Sequence, residues 1–267
     1  YVGGVQFFNI EVKPGATATA PALPYTLCDT QGENDGFTEF DLTLASLLDE
    51  ILNGQDPLDY FVSFYETLAN AMDAANPLGA SYTNIINPQV IYARVENAAS
   101  GCYDVVEVIL KVNQLPVITL DDSYRLCVDQ NGLPIASQEG ALSPPVIDTG
   151  LDATLYSFEW SIDGVVQVGE TGASIIATTG GVYQVSITQL ASGCQTAVTT
   201  TVTVSQAPVE WSFNLTNGAF ADNHIVEILA QGLGEYMYSI DGGLFQDSNV
   251  FTNISPGVHT ITIKDAN

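Results

Sequence analysis

Basic residues are nearly missing from this sequence: five Lys and Arg stand against 31 Asp and Glu in 267 residues, a formal net charge of −26. Lys13, Arg94, Lys111, Arg125 and Lys264 are scattered singly. Nucleic-acid binding needs clustered cations to neutralise phosphates, so it is excluded here. Anionic lipid surfaces are repelled for the same reason. Such acidity serves first to keep an exposed surface soluble, and attraction for divalent cations is the secondary reading. Histidine is limited to His224 and His259, both remote in sequence from the four cysteines, and no Cys-x-x-Cys occurs. That argues against zinc and leaves little for a Ser-His-Asp arrangement. Gly-x-Ser-x-Gly, phosphate-loop and His-Glu-x-x-His signatures are missing as well, so no catalytic residues are assigned and a non-enzymatic chain is expected. Paired carboxylates carry no weight where acids are this abundant. No apolar run approaches the roughly 18 residues that would span a bilayer, and no membrane insertion is expected. The 46% apolar content is that of a folded chain.

What is present is repetition. Ala98-Ala99-Ser100-Gly101-Cys102 recurs as Leu190-Ala191-Ser192-Gly193-Cys194, the cysteines 194 − 102 = 92 residues apart. Each is followed by an alternating run, Val105–Val112 and Ala197–Val204, and then by Pro116 and Pro208. Upstream, Phe158-Glu159-Trp160-Ser161-Ile162-Asp163-Gly164 matches Tyr236-Met237-Tyr238-Ser239-Ile240-Asp241-Gly242, with a degenerate copy at Tyr60–Glu66. The third copy reaches Lys264-Asp265-Ala266-Asn267 where the others arrive at Gly-Cys, and the natural chain is expected to continue.

These units divide the chain into 1–22 (a last strand, Gly3–Val12, of a preceding domain plus a linker), domains at 23–115 and 116–207, and an incomplete domain at 208–267. Alternating Val, Ile, Thr and Tyr between Gly, Asn, Asp and Pro predicts antiparallel strands. The fold class expected is all-β: tandem immunoglobulin-like antiparallel β-sandwiches, joined by short proline-containing linkers into a rod. Asp163-Gly164 and Asp241-Gly242-Gly243 read as hairpin turns. Leu42–Leu52, closed by Asn53-Gly54, reads as a short helix, and Thr67–Ala75 as a helical turn. Trp160 alternates with Phe158 and Ile162 and is assigned to the core; Trp211 is ambiguous; His259 is placed on a strand.

The cysteines fall two per domain, Cys28 with Cys102 and Cys127 with Cys194, and even pairing within modules argues for disulfides. Loops of 102 − 28 = 74 and 194 − 127 = 67 residues would give about 4 kcal/mol each in the chain-entropy account. Free buried thiols are the alternative. The segment Cys28–Asp41 concentrates oxygen ligands, and Asp29, Asn34, Asp35, Glu39 and Asp41 form a candidate calcium site, weighed against an Asn-Asp-Gly turn with exposed acids. Asp121-Asp122 is a lesser candidate. Asn214-Leu215-Thr216 and Asn253-Ile254-Ser255 are glycosylation sequons.

Asp35-Gly36, Phe40-Asp41-Leu42-Thr43, Phe64-Tyr65-Glu66-Thr67, Asn87-Pro88-Gln89-Val90 and Gly101-Cys102-Tyr103 together resemble the repeat modules of very large surface proteins of Bacteroidota. Tyr238-Ser239-Ile240-Asp241-Gly242-Gly243 and Ile263-Lys264-Asp265-Ala266-Asn267 resemble repeats of flavobacterial gliding-motility adhesins. The resemblance implies an extracellular, cell-surface location and a role in adhesion or gliding. It also implies the type IX secretion machinery as a partner, through a sorting domain outside this segment, and a surface or glycan ligand. The alternative is a carbohydrate- or calcium-binding accessory module of a secreted hydrolase, which an exposed aromatic row on one sheet face would favour.

Overall fold

The computed structural model describes residues 7–10, 12, 15–135, 144–216 and 223–266. The chain divides at Leu115/Pro116 into two compact units. Three hydrophobic cores form along it, within residues 40–112, 120–202 and 228–251.

The first unit contains β1 (Tyr25–Cys28), β2 (Glu39–Asp41), α1 (Ala45–Leu52), β3 (Tyr60–Tyr65), α2 (Leu68–Asp73), β4 (Ser81–Thr83), β5 (Gln89–Asn97) and β6 (Tyr103–Asn113). One sheet has the order β1-β6-β5-β3, and β2 pairs with β4 in a second. Period-two alternation sends Ile91, Ala93 and Val95 of β5 and Val108, Leu110 and Val112 of β6 into the core, all nearly or fully buried. The second sheet is only two short strands, and α1 completes that wall by burying Leu47, Ile51 and Leu52. The helix starts three residues later than its sequence pattern predicts. Asp41 Oδ1 accepts from Thr43 N and Oγ1, Leu42 N donates to Ala80 O, and Leu44 is non-helical. Asn53 ends it in the left-handed conformation, as the Asn-Gly signal predicts.

Of the expected strand Gly3–Val12, residues 3–6 and 11 lie outside the described residues, and the described ones are in no strand. Residues 16–22 are part of the first unit and not a linker. Ala16 and Ala18 pack on its core, and Thr19 N donates to Ile51 O.

The second unit holds β7 (Ser123–Val128), β8 (Val146–Asp148), β9 (Tyr156–Ile162), β10 (Val165–Val166), β11 (Ser174–Ile176), β12 (Gly181–Gln189) and β13 (Gln195–Gln206). These are followed by β14 (Glu210–Thr216), β15 (His224–Gln231), β16 (Tyr236–Ile240), β17 (Val250–Ile254) and β18 (Ile261–Asp265). Its first sandwich pairs the sheet β10-β9-β12-β13-β7 with β11-β8 around Trp160, Tyr183, Val185 and Ile187. Trp160 is fully buried, as expected, and its indole N–H donates to Gly172 O at 2.9 Å. The second has sheets β14-β15-β17 and β16-β18 over Ile228, Tyr238 and Phe251. The architecture is the tandem immunoglobulin-like sandwich the sequence predicts.

Both Asp-Gly turns form with positive φ at the two central residues, Asp163/Gly164 and Asp241/Gly242, the conformation that suits tight hairpins. In each, the aspartate carboxylate reaches across to a distant backbone N–H: Asp163 Oδ1 accepts from Val182, and Asp241 Oδ1 from Thr260. His259 lies in the loop before β18, not on a strand, and its Nδ1 is 2.6 Å from Asp241 Oδ2.

Among the described residues, Arg94 is the one basic side chain drawn into an interior. It is 6% exposed. Nε and Nη2 donate to Glu96, Nη1 donates to the carbonyls of Ala71 and Met72 at the end of α2, and the guanidinium stacks on Tyr103 at 3.4 Å. Removing it strands Glu96 and two helix-end carbonyls. Arg94→Met is therefore expected to destabilise the first unit by about 3 kcal/mol, read as faster hydrogen exchange in peptides covering α2 and β5. The exchange of β9 and β12 should be unchanged, and equal acceleration everywhere would refute the local role.

The His259–Asp241 pair gives a pH dependence. Its hydrogen bonds hold Asp241 below its ordinary 3.8 and raise His259 above its ordinary 6.5. Asp241's contribution is present above 3.8 and lost as pH falls through its lowered value; that of His259 is complete below 6.5 and lost as pH rises through its raised value. The contact between the Asp241-Gly242 turn and the loop before β18 should thus be most protected between about pH 4 and 6.5. Amide exchange of Thr260, corrected for intrinsic rates, checks this, and Asp241→Asn should flatten the profile.

Candidate functional site

Each complete sandwich begins with a strand that pairs in parallel with its last strand. Cys28 on β1 is opposite Asn113, the last residue of β6, and Cys127 on β7 is opposite Ser205, near the end of β13. Both cysteines therefore sit at the distal end, where the chain leaves the domain. Cys102 and Cys194 directly precede β6 and β13, at the proximal end. Ala18 N bonds the carboxylate of Asp104 there, which marks the end at which the chain comes in.

The repeated Ser-Gly-Cys segment builds the same proximal turn twice. Asn97 N donates to Cys102 O and Gly101 N to Asn97 O; Gln189 N donates to Cys194 O and Gly193 N to Gln189 O. Gly101 and Gly193 take φ of 67° and 73°, which glycine adopts freely. Ser100 Oγ and Ser192 Oγ each accept from the following cysteine N–H at 3.2 Å.

This geometry overturns pairing within modules. β6 spans 11 residues and β13 spans 12, so each domain's two cysteines are separated by about 33 Å or more along the strands. A disulfide needs Cα atoms within about 7 Å. Cys28 and Cys194 are disulfide-bonded, whereas Cys102 and Cys127 are free thiols, Cys102 exposed and Cys127 half-buried. The even count of cysteines per module was the misleading signal; their offset from the parallel strand pair is the informative one.

The oxygen-rich segment after Cys28 folds the distal end. Asp29 is buried; its Oδ2 accepts from Gly36 N at 2.6 Å, and its Oδ1 has no hydrogen-bond partner among the described residues. The Asn34 side chain brackets Leu115, accepting from its N–H and donating to its carbonyl. Asp35 caps Phe37 N, and Asn84 ties Thr38 N to Gly36 O. Glu39 and Asp41 lie exposed on either side of buried Phe40, and Thr43 holds Asp41 below its usual carboxylate range. The five candidate calcium ligands thus belong to one segment, but among the described residues no three His, Cys, Asp or Glu side chains converge as a metal site. Asp121 and Asp122 give their carbonyls to Thr200 Oγ1 and Thr201 N. The second distal end is built alike: Asp129 Oδ1 accepts from Asn131 and Leu133 N–H groups, which lower its pKa, and Gln206 Nε2 donates to Asp129 O.

Trp211, Phe213 and Leu215 form an exposed row on β14. Their partners in register are Ala230, Ile228 and Val226, and Ile228 is 3% exposed, so the row lies on the inner face of the sheet. Trp211 and Phe213 line a groove of about 550 Å³ with Ile228, Ile261 and Ile263. The row therefore shares its sheet face with the core residue Ile228.

In the oxidised chain, alkylation should modify Cys102 quickly and Cys127 more slowly, and Cys28 and Cys194 only after reduction. Mass mapping of the labelled peptides checks this, and label on all four in the unreduced protein would refute the disulfide.

No curated protein matches the chain. Tandem immunoglobulin structures align over most of it. The N-terminal four Ig domains of Dscam1 isoform 9.44 are 11% identical over 94% of this chain and 69% of that one, with a TM-score of 0.31. Three N-terminal domains of the bacteriophage RB49 Highly Immunogenic Outer Capsid protein are 11% identical over 80% and 78%, with a TM-score of 0.32. Extracellular domains 3–5 of Drosophila OTK are 11% identical over 94% and 92%, with a TM-score of 0.28. These superpositions are too loose to carry function. Residues 24–116, which hold both Cys28 and Cys102, match the family described as the Flavobacterium inter-domain disulphide bond domain.

Proposed function

We propose that this chain is a non-enzymatic stalk segment of an extracellular multi-domain protein, in which Cys28 and Cys194 are bonded to each other and staple consecutive domains. The carrying observation is the placement of the cysteines. The chain leaves the first domain at the end that holds Cys28 and comes into the next at the end that holds Cys194, and both are disulfide-bonded. The name of the matching family supports this reading. Disulfides that persist belong to oxidising compartments, which fits an exported protein. On the resemblance of its repeats, the segment is the stalk of a surface adhesin of gliding bacteria, exported by type IX secretion and holding a glycan- or surface-binding region carried elsewhere.

Covalent stapling across a linker suits that role. Force applied along the chain passes through the disulfide, and the residues between the two cysteines stay shielded. The segment is 194 − 28 = 166 residues long, so an extended length on the order of 500–600 Å is hidden until the bond is reduced. Single-molecule pulling of Cys102→Ser/Cys127→Ser, which keeps only Cys28 and Cys194, should show total extension growing by that amount on adding a reductant. Equal extension with and without reductant would refute the staple.

A further inference from the structure

Cross-strand register puts two exposed aromatic rings and a carboxylate in one row on the outer face of the first unit's larger sheet. Phe61 on β3 is opposite Glu96 on β5, and Glu96 is opposite Tyr103 on β6. Ile91, Ala93 and Val95 of β5 enter the core, so Glu96 and its two partners stand on the opposite face. Phe61 is 47% exposed and Tyr103 42%. Neighbouring strands are about 4.8 Å apart, so the rings stand about 10 Å from each other with the carboxylate between them. We propose that this row is a binding platform for a neutral, β-1,4-linked sugar chain. The proposal is independent of the Cys28–Cys194 staple, and it puts a ligand contact on this segment itself.

Two features separate this row from a stray apolar patch. The first is that the Tyr103 ring is fixed in advance. The Arg94 guanidinium covers one of its faces at 3.4 Å, and Glu96 and the carbonyls of Ala71 and Met72 pin that guanidinium in turn. The ring is therefore presented with little left to order when a ligand arrives. The second is that the carboxylate is compensated without being used up. Arg94 Nε and Nη2 both donate to Glu96 Oε2, at 2.9 and 2.6 Å, and neither takes Oε1. As an ion pair the two side chains carry no net charge, so a charged ligand gains nothing at the row. A polyanion is repelled besides by the −26 of the chain.

What fits is a neutral molecule with two apolar faces and a hydroxyl donor between them. A pyranose with equatorial hydroxyls offers a face of C–H groups, which the negative face of an aromatic ring attracts. In an extended β-1,4-linked chain every second sugar presents the same face, one disaccharide length apart. Two such sugars stack on Phe61 and Tyr103, and the sugar between them donates a hydroxyl to Glu96 Oε1. A protein partner would need a far wider apolar area than two separated rings supply.

The experiment titrates cellohexaose into the full chain by calorimetry, and then into Phe61→Ala, Tyr103→Ala and Tyr103→Phe. The expected result is saturable binding that falls about tenfold in each alanine variant and is kept in Tyr103→Phe. Phe61 takes no part in the Arg94 hydrogen bonds, so Phe61→Ala tests the row without loosening that cluster. Unchanged hydrogen exchange of β5 and β6 in that variant confirms an intact fold. No saturable heat at millimolar cellohexaose, or equal affinity in Phe61→Ala, overturns the proposal. Saturable binding of oligolysine in place of the sugar, lost in Phe61→Ala, would assign the row to a cationic peptide and overturn it as well. Reducing the disulfide should leave the affinity for cellohexaose unchanged, so failure of the staple and failure of the platform are read separately.

Discussion

The parallel pairing of a first strand with a last strand settles at which end of its domain each distal cysteine lies. A parallel partner runs in the same direction, so a short first strand in register with the end of the last strand carries its own last residue to that end. Because β1 begins at Tyr25 opposite Leu110, Cys28 is carried to the level of Asn113. An antiparallel first strand of the same sequence would bring its cysteine back toward the proximal turn. β7 and β13 repeat the arrangement. The register, and not the number of cysteines, decides which of them can meet.

Around that constraint the polar loops do structural work that an inventory of ligands would misassign. The segment after Cys28 contains enough oxygens to suggest calcium, yet most of them have local tasks. Asn34 imitates a strand partner for Leu115, Asn87 does the same for Val112, and Asn84 joins two loops. Amide side chains suit this because each offers a donor and an acceptor, as a peptide group does. The result is a distal end held by side chains where the ladder of strand bonds has run out, beside a bonded cysteine. Arg94 does the equivalent for α2, where a single guanidinium satisfies carbonyls that the short helix leaves open.

Much of the architecture was legible in the sequence because it follows from periodicity and punctuation. Alternation gave β5, β6, β12 and β13, Asp-Gly gave the two hairpin turns, and Asn-Gly gave the end of α1. Trp160 was legible from its strand spacing. Three features were not. The start of α1 depends on Asp41 turning back onto Thr43, and the loop position of His259 depends on its tie to Asp241. The cysteine pairing was illegible for a different reason. Spacing along a chain says how long a loop would be, but only strand direction says which end of the domain a residue reaches.

The repeated proximal turn carries one more consequence of this geometry. Ser100 and Ser192 accept from the N–H of the cysteine that follows, and Gly101 and Gly193 supply the positive φ that closes the turn. The same backbone therefore presents Cys102 and Cys194 in one orientation, yet Cys194 is fully buried and bonded while Cys102 is an exposed thiol. The turn itself is indifferent to the oxidation state of its cysteine. Burial and bonding thus differ at two cysteines that one backbone turn presents alike, so the difference arises outside the turn.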